Sequence, residues 1–86
     1  MAGQMTDQKQ WKLNIYNAGK TDLNNLQGDC QVYVANAPNM PSGKTGGVCI
    51  QFAYGEVYKT QFFNTGNEMY NRVFNDNIWS SWKALA

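Results

Sequence analysis

Val48-Cys49-Ile50-Gln51-Phe52-Ala53-Tyr54-Gly55-Glu56-Val57-Tyr58-Lys59-Thr60-Gln61-Phe62-Phe63 is the stretch on which the fold turns. Residues 48–53 form the most apolar run of the chain, and residues 57–63 form a second run rich in β-branched and aromatic side chains. Tyr54-Gly55-Glu56 lies between them. Two such runs joined by a short glycine-containing turn predict a β-hairpin. The first run, being the more apolar, is expected at the centre of a sheet.

The same grammar continues outward. Asn64-Thr65-Gly66-Asn67 reads as a turn, and Glu68 to Phe74 alternates Tyr70, Arg72 and Phe74 against Met69, Asn71 and Val73. Asn75-Asp76-Asn77 turns again before the closing segment Ile78-Trp79-Ser80-Ser81-Trp82-Lys83. Upstream, Gly46-Gly47 ends a loop that runs from Asn36 through Pro38 and Pro41, and Cys30 to Val34 precedes it as a strand. Thr21 to Leu26 fits one short helical turn, capped by Thr21 or Asp22, with Leu23 and Leu26 facing inward. Asn17 to Lys20 reads as a turn, and Trp11 to Tyr16 as a strand or extended arm. The expected fold is all-β: a small antiparallel meander of four to five strands with at most one short helical turn. One sheet of this size leaves a face uncovered. The N-terminal segment, the Trp79–Trp82 tail or another subunit must supply the cover.

Eighty-six residues allow a single domain, read here as residues 11–86 behind a flexible lead-in at 1–10. Leu, Ile, Val and Phe number only 16, but Phe, Tyr and Trp number 12 and the net charge is +1, so the core is expected to be aromatic rather than aliphatic. Eleven Asn and seven Gln suit short strands joined by tight turns. The seven basic residues form no patch, which argues against a nucleic-acid module, and no apolar run is long enough to insert into a membrane.

The chain contains no histidine, which removes the commonest general base and metal ligand. Cys30 and Cys49 are the only thiols, too few for a zinc site without carboxylates at ligand spacing. Cys30 shares parity with Val32 and Val34, whereas Cys49 alternates against Val48, Ile50 and Phe52. The two sulfurs are therefore expected on different faces, as reduced, buried, small hydrophobes. Ser42-Gly43-Lys44-Thr45 lacks the upstream glycine and following helix of a phosphate loop and reads as a solvated hairpin loop. The six acids sit mostly in turn contexts and show no paired arrangement of the glycosidase kind. No enzyme activity, catalytic residue, metal or cofactor is expected.

An aromatic ring beside planar amides is the chemistry that holds sugars, since C–H faces stack on the ring and amides bond pairs of hydroxyls. Trp79, directly after Asn75, Asp76 and Asn77, is the first candidate; Tyr54 and Tyr58 come next. Asn64 and Asn67 would add hydrogen bonds from another turn tip, and Arg72 could pair a sugar carboxylate or phosphate bidentately; its blander reading is an exposed strand residue. The blander reading of Trp79 and Trp82 is that they seal the small core.

The order of these motifs resembles the pyocin-knob type domain of phage and tailocin tail fibres. The likeness is carried by Thr21-Asp22-Leu23-Asn24-Asn25-Leu26, the strand Val32-Tyr33-Val34, and Ala37-Pro38 leading to Gly46-Gly47 and an apolar strand. Val57-Tyr58-Lys59-Thr60-Gln61, Tyr70-Asn71-Arg72 and the closing Trp79-Ser80-Ser81-Trp82-Lys83 complete it, over about residues 20–84. Gln27-Gly28-Asp29-Cys30 stands where the family often has a Pro-Gly turn, and no shaft segment accompanies the domain. The resemblance implies a receptor-binding knob of the virion tail, synthesised in the host cytoplasm, that attaches to a bacterial cell-surface glycan. It also implies a homo-oligomer, with a trimer favoured. The alternative is a purely structural or trimerisation domain of the fibre with no ligand of its own.

Overall fold

The computed structural model describes residues 12–85 and shows an all-β domain built on one sheet. Its strands are β1 (Asn14–Gly19), β2 (Cys30–Ala35), β3 (Gly46–Tyr54), β4 (Tyr58–Asn64), β5 (Met69–Asn75), β6 (Ile78–Trp79) and β7 (Lys83–Ala84). They lie side by side in the order β1-β2-β3-β4-β5-β6, with β7 also pairing β5. From β2 onward the sheet is the antiparallel meander read from the sequence. The lead-in assigned to residues 1–10, and Trp11 of the first strand, lie outside the described residues.

The first pair departs from the meander, for β1 runs parallel to β2. Asn17-Ala18-Gly19, expected to be a turn, stays in the strand. Its turn chemistry is spent on an irregularity between Asn17 and Gly19, where Gly19 takes φ +59° and its N–H donates to Asn17 Oδ1 at 2.9 Å. Parallel strands need a crossover. Residues 20–29 supply it, around a single 3-10 turn at Leu23–Asn25 that Asp22 caps by accepting the Asn24 N–H at 2.8 Å. Leu23 and Leu26 point into the core, as their spacing predicts.

Cross-strand register sorts the side chains onto two faces. Val32, Cys49 and Phe63 stand in one row on the covered face, with Gln51, Gln61 and Arg72 in the next. The crossover, the 36–45 loop and Trp82 lie over this face; Ala37, Met40, Tyr70 and Trp82 pack around Leu23, Leu26, Val34 and Phe63. The opposite face carries Gln31, Ile50, Phe62 and Asn71 in one row, and Tyr33, Val48, Asn64 and Met69 beside it. Phe52, Thr60 and Val73 make a third row on this second face.

The two thiols therefore share a face, contrary to expectation. Cys49 is on the covered side with Gln51, and Cys30 is beside it on β2; both are free and buried. The expectation assumed that Val48, Ile50 and Phe52, the more apolar set, would point to the core. They point away from it. Burial pushes the Cys49 thiol up to about 12, and pushes Cys30 upward as well.

Candidate functional site

The covered face is held by a polar row rather than by aliphatic packing alone. Gln51, Gln61 and Arg72 are paired across β3, β4 and β5, and none is more than 5% exposed. Gln51 Nε2 donates to the Leu26 and Gly28 carbonyls at 3.0 and 2.9 Å, and Gln61 Nε2 donates to the Leu23 carbonyl at 2.7 Å. The irregular crossover has carbonyls with no ladder partner, and the two amides satisfy them. Gln61 Nε2 also reaches Gln51 Oε1 at 2.9 Å, while Arg72 Nε donates to Gln61 Oε1 at 2.8 Å and Arg72 Nη2 to Asn24 Oδ1 at 2.8 Å.

Arg72 is thus a core residue and not an exposed one. Its guanidinium lies against the rings of Trp79, at 3.9 Å from the centroid, and Trp82, at 4.8 Å. Burial lowers its pKa to about 10. With two donors committed and both rings over it, its position is that of a structural cation. Trp79 is correspondingly half-buried on the covered face, tilted against Phe74 at 5.1 Å. Trp82 meets Phe63 edge-on at 5.9 Å and donates its indole N–H to the Asn39 carbonyl at 2.8 Å, pinning the 36–45 loop. Both indoles close the core, the blander of the two readings.

The remaining candidates separate into two groups. Asn64 and Asn67 sit at the β4–β5 turn beside a shallow cleft of about 350 Å³. Their amide oxygens accept from Gly66 N–H (2.7 Å) and Thr65 Oγ1 (3.3 Å), so they serve the turn itself. Tyr54 and Tyr58 sit at the other end of β4. Seven residues of strand put the two groups about 20 Å apart, too far for one sugar ring.

Tyr54 and Tyr58 face each other across the β3–β4 hairpin, whose turn closes with the Val57 N–H on the Tyr54 carbonyl at 3.2 Å. They are 77% and 55% exposed. Together with Phe52, Lys59, Val73 and Asn75 they line an open cleft of about 600 Å³. Asn75 arrives from the neighbouring strand, and the next two residues, Asp76 and Asn77, form the hairpin tip with φ of +56° and +63°. That left-handed pair is the geometry a two-residue turn needs, and Asp and Asn tolerate it. Lys59 Nζ sits 3.0 Å from Glu56 and over the Phe74 ring at 5.3 Å.

Comparison with protein-family models, curated proteins and solved structures returned no match for this chain. The chemistry of the cleft must be argued from its own residues.

Aromatic faces, one amide and one ammonium group can bind a polyol by stacking and hydrogen bonding. They offer no paired acids. Glu56 is engaged by Lys59, and Asp29 accepts the Ala53 N–H at 2.9 Å. Among the described residues no cluster of three or more His, Cys, Asp or Glu could hold a metal ion. Elsewhere, Glu68 is held below the usual carboxylate range by hydrogen bonds from Lys44 and Tyr70. Sequence reasoning missed Phe52, Lys59 and Val73 as cleft residues. The register Phe52–Thr60–Val73, once the hairpin is closed, is the signal that gathers them.

Proposed function

We propose that this chain is a non-enzymatic knob domain of the phage tail-fibre type, and that it attaches to a bacterial surface glycan through the Tyr54–Tyr58 cleft. The observation that carries the reading is the pair of exposed tyrosines beside Asn75 in an open cleft of about 600 Å³. Exposed rings flanked by planar amides are what a sugar needs and what a folding core does not. Such a domain works on the virion tail after synthesis in the host cytoplasm. Among the described residues no helix is long and apolar enough to cross a membrane.

The test is a glycan array followed by titration of Tyr54→Ala and Tyr58→Ala. Loss of one stacking ring, at about 0.5–1.5 kcal/mol, weakens binding about two- to twelvefold. Asn67→Ala, at the far end of the sheet, should bind like the parent. Binding that survives both tyrosine changes at full strength would remove the site. A second reading, a structural fibre domain without a ligand, is favoured by the uncovered apolar face formed by Ile50, Phe62 and their neighbours.

A further inference from the structure

The face of the sheet opposite the crossover is apolar, largely uncovered and carries one charged residue among those described, Lys83 at its edge. Tyr33 is 50% exposed, Val73 43% and Met69 36%, with Val48, Ile50 and Phe62 half-buried between them. On β1 to β6 every position in register with this face holds an apolar, aromatic, hydroxyl or amide side chain. Of the charged residues described, only Lys83, on the edge strand β7 beside Asn71, stands on this face; the others lie on the covered face, at turns or in the flanking segments. Water is a poor solvent for such a surface.

We infer that this face packs against the same face of a second copy of the chain. Three observations select that occupant. A face whose one described charge, Lys83, stands at its edge offers little to recognise a charged partner, whereas depletion of charge at the centre is the mark of a homodimer interface. Its central polar groups are already satisfied within the chain: Asn71 Nδ2 donates to Thr60 Oγ1 and to the Gln61 carbonyl, each at 3.1 Å. They can lose water without losing these bonds. Its size is also sufficient. Five strands about 4.8 Å apart and about 20 Å long present roughly 500 Å² of projected area per copy. Two copies then bury roughly 1,000 Å², the lower bound of a specific interface.

Two sheets stacked about 10 Å apart is the general way to cover an open sheet face, and a face that meets itself does so about a two-fold axis. The fibre resemblance implies three copies; a single face poor in charge implies two. Tyr54 and Tyr58 lie at the end of the face, on the rim of the stack. Phe52 and Val73 belong both to this face and to the cleft, so the stack and the glycan site draw on shared residues; the mass of the chain, measured without glycan, tests the stack alone.

Sedimentation velocity and light scattering of the 86-residue chain over a hundredfold concentration range test it. The expected mass is twice the chain mass of 9.7 kDa. Val73→Lys places a charge on the face at an exposed position and should return the mass to one chain, with near-ultraviolet dichroism unchanged. Met69→Lys is the second variant should Val73→Lys fail to fold. A monomer at every concentration would overturn the inference and leave the face to residues 1–11 or to a fibre neighbour. A trimer, or a dimer that both lysine variants leave intact, would overturn it equally.

Discussion

Gln61→Leu tests whether the buried amide row or apolar burial holds the crossover to the sheet. The two accounts predict opposite signs. Leucine is close to glutamine in size and adds apolar surface at a position that is 0% exposed, which by transfer alone stabilises by about 2 kcal/mol. Against that, three buried groups lose their partner: the Leu23 carbonyl, Gln51 Oε1 and Arg72 Nε. Each orphaned group costs about 1–3 kcal/mol, and more where the group is charged, as Arg72 is. The balance is a loss of about 1–7 kcal/mol, a large part of the roughly 4–13 kcal/mol expected for a domain of this size. The assay is urea unfolding followed by the fluorescence of Trp79 and Trp82, both of which sit on the guanidinium that the row positions. With a slope near 1 kcal/mol per molar urea the midpoint should fall by about 1–7 M. A change of less than about 1 kcal/mol, or a gain, would refute the argument. The crossover would then be held by Leu23 and Leu26 alone, and the amides would be passengers.

Two further outcomes follow from the covered face. The Cys49 thiol is pushed up to about 12 in the folded chain, whereas an unfolded thiol titrates near 8.5. Below that lower value both states keep the proton and stability is unaffected; above it the unfolded state loses its proton first, and stability falls by up to about 1.4 kcal/mol per pH unit. Urea midpoints measured from pH 8 to pH 10 should therefore slope downward in the parent and less steeply in Cys49→Ala; equal slopes would contradict the placement of this thiol. Gly47→Ala should cost about 1–3 kcal/mol by the same assay, because a β-carbon there would press on the Asn64 carbonyl and lie 2.7 Å from Phe63 Cε1, both fixed in β4. A neutral Gly47→Ala would mean that β3 and β4 are not in this register.

The hairpins were legible because their signals are local. Gly55 and the Asp76-Asn77 pair adopt the positive φ angles that tight turns demand, and those residue types are the ones that tolerate them. The 3-10 turn was legible for the same reason, through Asp22. The parallel β1–β2 pair was not, since Asn17-Ala18-Gly19 carries turn chemistry whether it ends a strand or kinks one. Part of the site was legible too. The tyrosines flank a turn that can be found in the sequence, and residues flanking a turn are exposed. Arg72 was misplaced because its position depends on β5 lying under the crossover, a contact between residues 48 apart, Arg72 and Asn24.

The inversion of β3 carries the wider lesson. Hydropathy alone points Val48, Ile50 and Phe52 to the core and Gln51 away from it, whereas the structure buries Cys49 and Gln51 and leaves Val48 and Ile50 half-buried and Phe52 exposed. A buried face usually goes to the most apolar residues, but only when what covers it is itself regular. Here the cover is a ten-residue crossover and a proline-containing loop, segments whose carbonyls find no partner in any ladder. Backbone N–H groups take some of these carbonyls, as those of Asp29 and Pro38, and side-chain amides on the sheet take those of Leu23, Leu26 and Gly28. Glutamine reaches far enough to do so from a strand, and two of them side by side also bond each other and orient an arginine. The face under an irregular cover is thus obliged to be polar in its central row. The apolar residues are displaced to the other side of the same strands, where they remain half-covered until another surface meets them. Burying the amides and exposing the hydrophobes are one decision, made by the shape of the chain between β1 and β2.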